Sequence, residues 1–224
     1  MGCRVSRRRK GGLLFFLVFL VMMVLLVTKG VSFIGEKEAD TSHGWALVLV
    51  NKIYAVPYDW QVETVTLTNG ECVDSRIYSA LEAMFDAARA QGLAPEVTSG
   101  YRTAEMQCKL IREKKAALRE NGLTRRQANV EAERWVAAVG HSEHETGLAV
   151  DINDARGQSS QALYDWLATN AWRYGFIERY PASHHSCTKT AHEPWHYRYV
   201  GQTAAAAIWQ NGLCLEEYIA QLDG

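Results

Sequence analysis

An imidazole and a carboxylate stand seven residues apart in Ser142-Glu143-His144-Glu145-Thr146-Gly147-Leu148-Ala149-Val150-Asp151, and a second imidazole follows in Glu193-Pro194-Trp195-His196. Two histidines and one carboxylate form the ligand set of a catalytic zinc whose fourth position is open to water. Glu193, three residues before His196, is close enough to act as the base on that water. Upstream, in Ser99-Gly100-Tyr101-Arg102, the guanidinium of Arg102 follows a turn and is placed to grip a carboxylate or a developing oxyanion. Each of these residues alone is an ordinary surface feature. Their combination is what points to chemistry.

The ligands need particular elements to hold them. Leu148, Ala149, Val150 and Ile152 are apolar and strand-like, so Asp151 is expected on a buried β-strand and His144 in the turn leading into it. Gly147 opens backbone angles closed to other residues and lets that turn fold back. His192-Glu193-Pro194-Trp195-His196 also matches H-E-x-x-H letter for letter, a zinc pattern that works only on a helix. Pro194 would remove an amide donor from such a helix and push Glu193 towards extended angles. Trp195, Tyr197 and Tyr199 alternate with His196, Arg198 and Val200 as in a strand. On a strand the two histidines are roughly 13 Å apart at ~3.3 Å per residue. His192 is therefore excluded as a ligand, and Asp151 is expected to supply the third.

Around these motifs the pattern predicts a strand or extended lead-in over 45–51, a short strand over 62–67 closed by Asn69-Gly70, and a helix over 75–91 stopped by Gly92. A strand over 95–99 delivers Arg102. Thr103 caps a helix to about 120, and Thr124 caps another to 139. Gln107, one turn beyond the cap, is expected to help Arg102 face the site. A helix over 161–174, a strand after Trp172, a polar loop over 181–190 and one or two short helices from Gly201 complete the chain. Strands and helices mix without regular βα alternation, which predicts an α+β domain with a mainly antiparallel sheet flanked by helices.

Ser-x-His-x-x-Gly-x-Ala-x-Asp at 142–151, Ser-Gly-Tyr-Arg at 99–102 and Glu-Pro-Trp-His-Tyr-Arg at 193–198 occur in the order of the VanY-type zinc carboxypeptidases, which this chain resembles from about Leu47 to Val200. The resemblance implies the hedgehog/DD-peptidase fold and one Zn2+ held by His144, Asp151 and His196. It also implies Glu193 as base and Arg102 on the substrate's carboxylate or oxyanion, with Ser142, Tyr101 and Gln107 as substrate contacts. The implied substrate is the D-Ala-D-Ala end of a peptidoglycan stem peptide, with D-alanine released. An L,D-carboxypeptidase or an endopeptidase of the same family is the near alternative. A zinc-containing binding module without turnover is the distant one, disfavoured by the presence of both Glu193 and Arg102. Trp195 is expected to pack beneath the ligands.

The 224 residues suffice for one domain with a full core. Residues 1–10 are a basic tail with Arg4, Arg7, Arg8, Arg9 and Lys10. Residues 11–28 carry no charge and include the apolar run 13–27. No small-x-small cleavage site follows, so an uncleaved single-pass transmembrane anchor in the cell membrane is expected, its basic end in the cytoplasm and the catalytic domain outside. Residues 29–44 read as a tether and 45–224 as the catalytic domain. The match of Met1-Gly2-Cys3-Arg4-Val5-Ser6 to the myristoylation pattern is short and is set aside. Of the 24 basic residues six lie in the first thirty, leaving 18 against 25 acids, a net of −7. That balance excludes nucleic acid as a partner. The partners expected are the stem peptide and, through the anchor, the membrane; the chain is expected to act as a monomer. Cys72, Cys108, Cys187 and Cys214 allow three disulfide connectivities, left open by the sequence, and none has the spacing of a cysteine-ligated metal.

Overall fold

The computed structural model describes residues 37–157 and 160–224. The expected tail and anchor, and the tether up to residue 36, lie outside the described residues. Among the described residues no helix is long and apolar enough to cross a membrane. The chain enters through β1 (Lys37–Glu38), paired in parallel with β2 (Tyr54–Ala55). Ala39 is buried in the core, so the end of the expected tether packs onto the domain.

Residues 45–51 do not form a strand. They begin with a 3-10 turn at Trp45–Leu47 and continue with Val48 and Val50 buried. The carbonyls of Ala46 and Val48 accept hydrogen bonds from Arg198 Nη2 at 3.1 and 2.8 Å, a guanidinium serving where a neighbouring strand would otherwise serve.

A hairpin follows, β3 (Thr64–Thr66) with β4 (Cys72–Asp74), then α1 (Ser75–Arg89). Asp74 caps α1 by accepting from the amide of Arg76 at 2.9 Å. β5 (Pro95–Ser99) leads to α2 (Ala104–Glu120), capped by Thr103, and α3 (Arg125–Trp135), where Thr124 and Gln127 form a reciprocal capping box. The helix expected to 139 thus stops at Trp135, because Val136 turns extended. β6 (Ala149–Asp154), α4 (Gln161–Asn170) with a 3-10 extension at Ala171–Tyr174, β7 (Phe176–Glu178), the single-turn α5 (His185–Thr188), β8 (His196–Tyr199), α6 (Gln202–Asn211) and α7 (Leu215–Asp223) complete the order. The loop expected over 181–190 is therefore partly helical, and it is pinned to the α6–α7 corner by a Cys187–Cys214 disulfide. Cys72 and Cys108 are free thiols.

β5, β6, β8 and β7 lie side by side in that order, every pairing antiparallel, as expected for the α+β class. Alternation along the strands divides the sheet. Val97, Val150, Ile152, Tyr197 and Phe176 face Ile77, Leu81, Met84 and Phe85 of α1 and Leu163 and Leu167 of α4, forming the main core. Asp151, His196 and Arg198 occupy the alternate positions. On that side Ile177 joins a smaller core with Val200, Ala205, Ile208 and Leu215. β8 is covered on both faces, so its alternation separates core from chemistry rather than core from solvent.

Candidate active site

Sheet register brings the chemistry together. Asp151 on β6 stands directly opposite His196 on β8, and on its other side opposite Ser99 at the end of β5. Directly paired residues share a sheet face with their Cβ atoms about 4.5–5.5 Å apart. The pairing of β5 shifts between Val97 and Ser99, a local irregularity beside the site that sets Ser99 against Asp151. His144 comes from a 3-10 turn, Glu143–Thr146, ended by Gly147 at φ 74°. A side chain at Gly147 would lie 2.7 Å from Val62 Cγ1, so glycine serves both the left-handed angle and the close approach.

One ligand atom each from His144, Asp151 and His196 lies within 4.8 Å of the others. His196 Nδ1 is 3.0 Å and His144 Nε2 is 3.5 Å from Asp151 Oδ1. Behind the ring, His144 Nδ1 donates to the Gly100 carbonyl at 2.8 Å. A convergent pair of imidazoles and a carboxylate, each imidazole held from behind, fits a zinc with three protein ligands. His192 points elsewhere: it is 47% exposed and bonded to Glu178 Oε1 at 3.0 Å.

Burial acts on these groups through their charges. It would raise the carboxyl of Asp151, but His144 and His196 overcome it and hold that carboxyl well below the usual range. Burial lowers His144. It would lower His196 too, yet hydrogen bonds to Asp151 and Glu143 bring that imidazole up to about 9. Cation binding at Nδ1 is therefore coupled to proton release. Glu193 lies 4.0 Å from His196 Nδ1 through Oε2, and burial pushes its carboxyl above the ordinary glutamate value, the direction a general base requires.

Arg102 reaches the same place from the end of β5. Its Nε bonds Ser99 Oγ at 3.0 Å, Nη1 bonds Gln107 Oε1 at 3.1 Å, and Nη2 lies 3.5 Å from Asp151 Oδ2. Gln107 helps Arg102 face the site, as expected, from a position that does not line the cleft. Its side chain is fully buried, with the oxygen on Arg102 and the amide donating to Ala137 O at 2.8 Å, so it orients the arginine. Tyr101 does not line the cleft, and its amide donates to the Cys72 carbonyl. Ser142 does line the cleft and is buried.

The cleft holds about 380 Å³ above these groups. Leu110 and Lys114 of α2, with Lys114 over the ring of Trp135 at the end of α3, line it together with Asn51 and Lys52. Trp195 lines it as well, so it does more than pack beneath the ligands.

Glu143, unremarked in the sequence beyond its place in the motif, sits at the centre of a buried ion network. Its Oε1 accepts from Arg179 Nε at 2.8 Å and Arg198 Nη1 at 3.0 Å, and Arg179 continues to Glu216 at 2.7 and 2.9 Å. Burial alone would raise the Glu143 carboxyl, but the two guanidiniums hold it far below the usual carboxylate range. Nothing local in the sequence signals it, because its partners lie 36 and 55 positions away.

Comparison with known proteins agrees with this geometry. The profile of the family described as VanY, D-alanyl-D-alanine carboxypeptidase, matches residues 70–202. A D-alanyl-D-alanine carboxypeptidase of Enterococcus faecalis is 49% identical over 184 residues, spanning 82% of this chain and 69% of the relative. The fold superposes with a TM-score of 0.75 on a variant of the vancomycin-resistance D,D-pentapeptidase VanY solved with Zn(II), 49% identical and covering 78% of this chain and 99% of that one. It does so equally, at 0.75 and 49% identity, on VanYB in complex with D-alanine-D-alanine, covering 79% and 98%.

Proposed function

The chain belongs to the VanY family of D-alanyl-D-alanine carboxypeptidases, and from that premise we propose how its own residues carry out the reaction. It is a zinc metallocarboxypeptidase that removes the C-terminal D-alanine from peptidoglycan stem peptides. The single observation carrying the site assignment is the convergence of His144, Asp151 and His196 within 4.8 Å on the floor of a cleft that also contains Glu193 and Arg102.

His144, Asp151 and His196 would hold the zinc, which would supply activation of a water and polarisation of the scissile carbonyl. Glu193 takes the proton of the attacking water on its carboxylate and hands it to the leaving amine of D-alanine. Its raised pKa suits both halves of that transfer. Arg102 receives the terminal carboxylate of the substrate, with Ser99 and Gln107 holding its guanidinium in place. The Ser142 hydroxyl bonds the substrate backbone. The wall formed by Leu110, Lys114 and Trp135 contacts the peptide upstream of the scissile bond. The enzyme is proposed to act as a monomer. The basic and then apolar order of residues 4–28 supports a domain anchored in the cell membrane and facing the wall.

Mass analysis of synthetic tri-, tetra- and pentapeptides incubated with the purified full chain and zinc tests the reaction. The pentapeptide is expected to lose one D-alanine. Cleavage of the tetrapeptide instead would make the enzyme an L,D-carboxypeptidase. Zinc binding without any cleavage would make it a binding module.

A further inference from the structure

We infer that Glu143 is a positioning residue for His196: its carboxylate dictates which ring nitrogen carries the proton and so presents the other to the metal. The inference rests on the zinc-peptidase reading above. His196 Nε2 is 3.3 Å from Glu143 Oε2, with both side chains almost wholly buried, while Nδ1 faces Asp151 Oδ1 at 3.0 Å. The other oxygen of Glu143 already accepts from Arg179 and Arg198. A carboxylate between two guanidiniums has no proton to give and can only accept. Nε2 of His196 therefore keeps its hydrogen, and Nδ1, whose proton faces Asp151 in the metal-free protein, is the nitrogen that gives up its proton and offers its lone pair when a metal binds.

His144 shows the same arrangement with its nitrogens exchanged. The Gly100 carbonyl, another group that can only accept, takes the proton of Nδ1 at 2.8 Å and leaves Nε2 facing the same Asp151 oxygen. Two imidazoles thus present opposite ring nitrogens to one point, each set from behind by an acceptor unable to donate. Glu143 is the chain neighbour of His144, so the turn that carries one ligand also orients the other. Its own position is fixed from outside. Arg179 is clamped by Glu216 of α7, and Arg198 by the carbonyls of Ala46 and Val48. A carboxylate held this firmly sets the ring rather than following it, and carboxylates in this position strengthen a histidine as a metal ligand.

Zinc affinity, read by competition with a chromophoric chelator, tests this. The wild-type chain is expected to bind one zinc; failure to do so overturns the zinc reading and the inference with it. Glu143→Asp keeps a negative charge between the arginines but draws it one methylene back from His196. Its zinc Kd is expected to rise about 10–100-fold, with the melting temperature of the zinc-free protein little changed. Glu216→Gln, which loosens Arg179 without touching His196, is expected to lower the melting temperature and leave the zinc Kd within about threefold, well short of that range. An unchanged Kd in a folded Glu143→Asp, or an equal rise in Glu216→Gln, overturns the inference while leaving the zinc site standing. A measurement on the wild type does not depend on the variants folding. Long-range ¹⁵N–¹H correlation of the zinc-loaded, histidine-labelled protein is expected to show the His196 proton on Nε2; a proton on Nδ1 refutes the assignment.

Discussion

If Arg102 holds the substrate's terminal carboxylate, removing either charge should cost about as much as removing both. In the free protein three of the five N–H groups of this guanidinium are engaged, by Ser99, Gln107 and Asp151, which leaves two for substrate. Truncating one partner of a buried, hydrogen-bonded charge pair costs about 2–5 kcal/mol. The side chain is 17% exposed and Asp151 already offsets part of its charge, which places the expected cost at the lower end, about 2–3 kcal/mol, or 30–150-fold at ~1.4 kcal/mol per decade. The assay is kcat/KM for release of D-alanine, or its amide, from a pentapeptide with a free or amidated C-terminus, by the wild type and by Arg102→Ala. Amidation should slow the wild type by that factor and the variant by less than about threefold, a coupling of about 1.4 kcal/mol or more. Zinc content is measured alongside, because Arg102 also approaches Asp151. Equal losses on amidation in both proteins would remove Arg102 from the carboxylate and shift the reading to an oxyanion role or an endopeptidase.

Zinc content by mass spectrometry should fall to background in His144→Ala, Asp151→Ala and His196→Ala and stay near one in His192→Ala, which loses only an exposed bond to Glu178. Glu193→Gln should keep its zinc and lose about 10²–10⁴-fold in kcat, the usual contribution of a general base. In Gly100→Ala the new Cβ would lie 2.0 Å from the Cys72 carbonyl oxygen, a backbone atom that cannot swing away. Overpacking of this kind should cost about 3 kcal/mol, a drop of roughly 6–12 °C in melting temperature for a domain of this size. It should also weaken zinc binding by moving the carbonyl that holds His144. Glu143→Gln should destabilise the zinc-free protein by about 3–5 kcal/mol near neutral pH, because it leaves the buried Arg198 without a carboxylate and Arg179 with Glu216 alone. The folded pKa of Glu143 lies below its unfolded value, so its contribution is complete above the ordinary glutamate range and is lost as pH falls beneath it. Urea unfolding should therefore show the gap between the two proteins narrowing from pH 6 to pH 3; a constant gap would refute the ionised network.

Local chemistry and periodicity were enough to read much of this protein from its residues. Thr103 and Thr124 mark helix starts because a hydroxyl can take an otherwise orphaned amide within its own turn. The apolar run around Asp151 marks a strand because both faces of that strand are covered, and Pro194 rules out a helix at His192 wherever the rest of the chain goes. The metal-site candidates His144, Asp151 and His196, with Glu193 and Arg102, were legible because their spacing within short motifs is itself the constraint. Other features have no local signature. Glu143 meets Arg179 and Arg198 across 36 and 55 positions of sequence, and an ion pair across that distance leaves no periodicity to detect. That Gln107 serves Arg102 was legible from its place one turn beyond the Thr103 cap, but its complete burial was not, because the Ala137 carbonyl that takes its amide lies 30 positions away. Residues 45–51 look like a strand because they are buried and apolar, and only the arrival of Arg198 shows that their carbonyls need no sheet. That Cys187 pairs with Cys214 while Cys72 and Cys108 stay free, a state outside the three full pairings, depends on where α5 docks against the α6–α7 corner. The sheet register, which sets Asp151 opposite His196, is the decisive case: a slip of one residue would turn one of them into the core, and no segment read alone says which partner it will face.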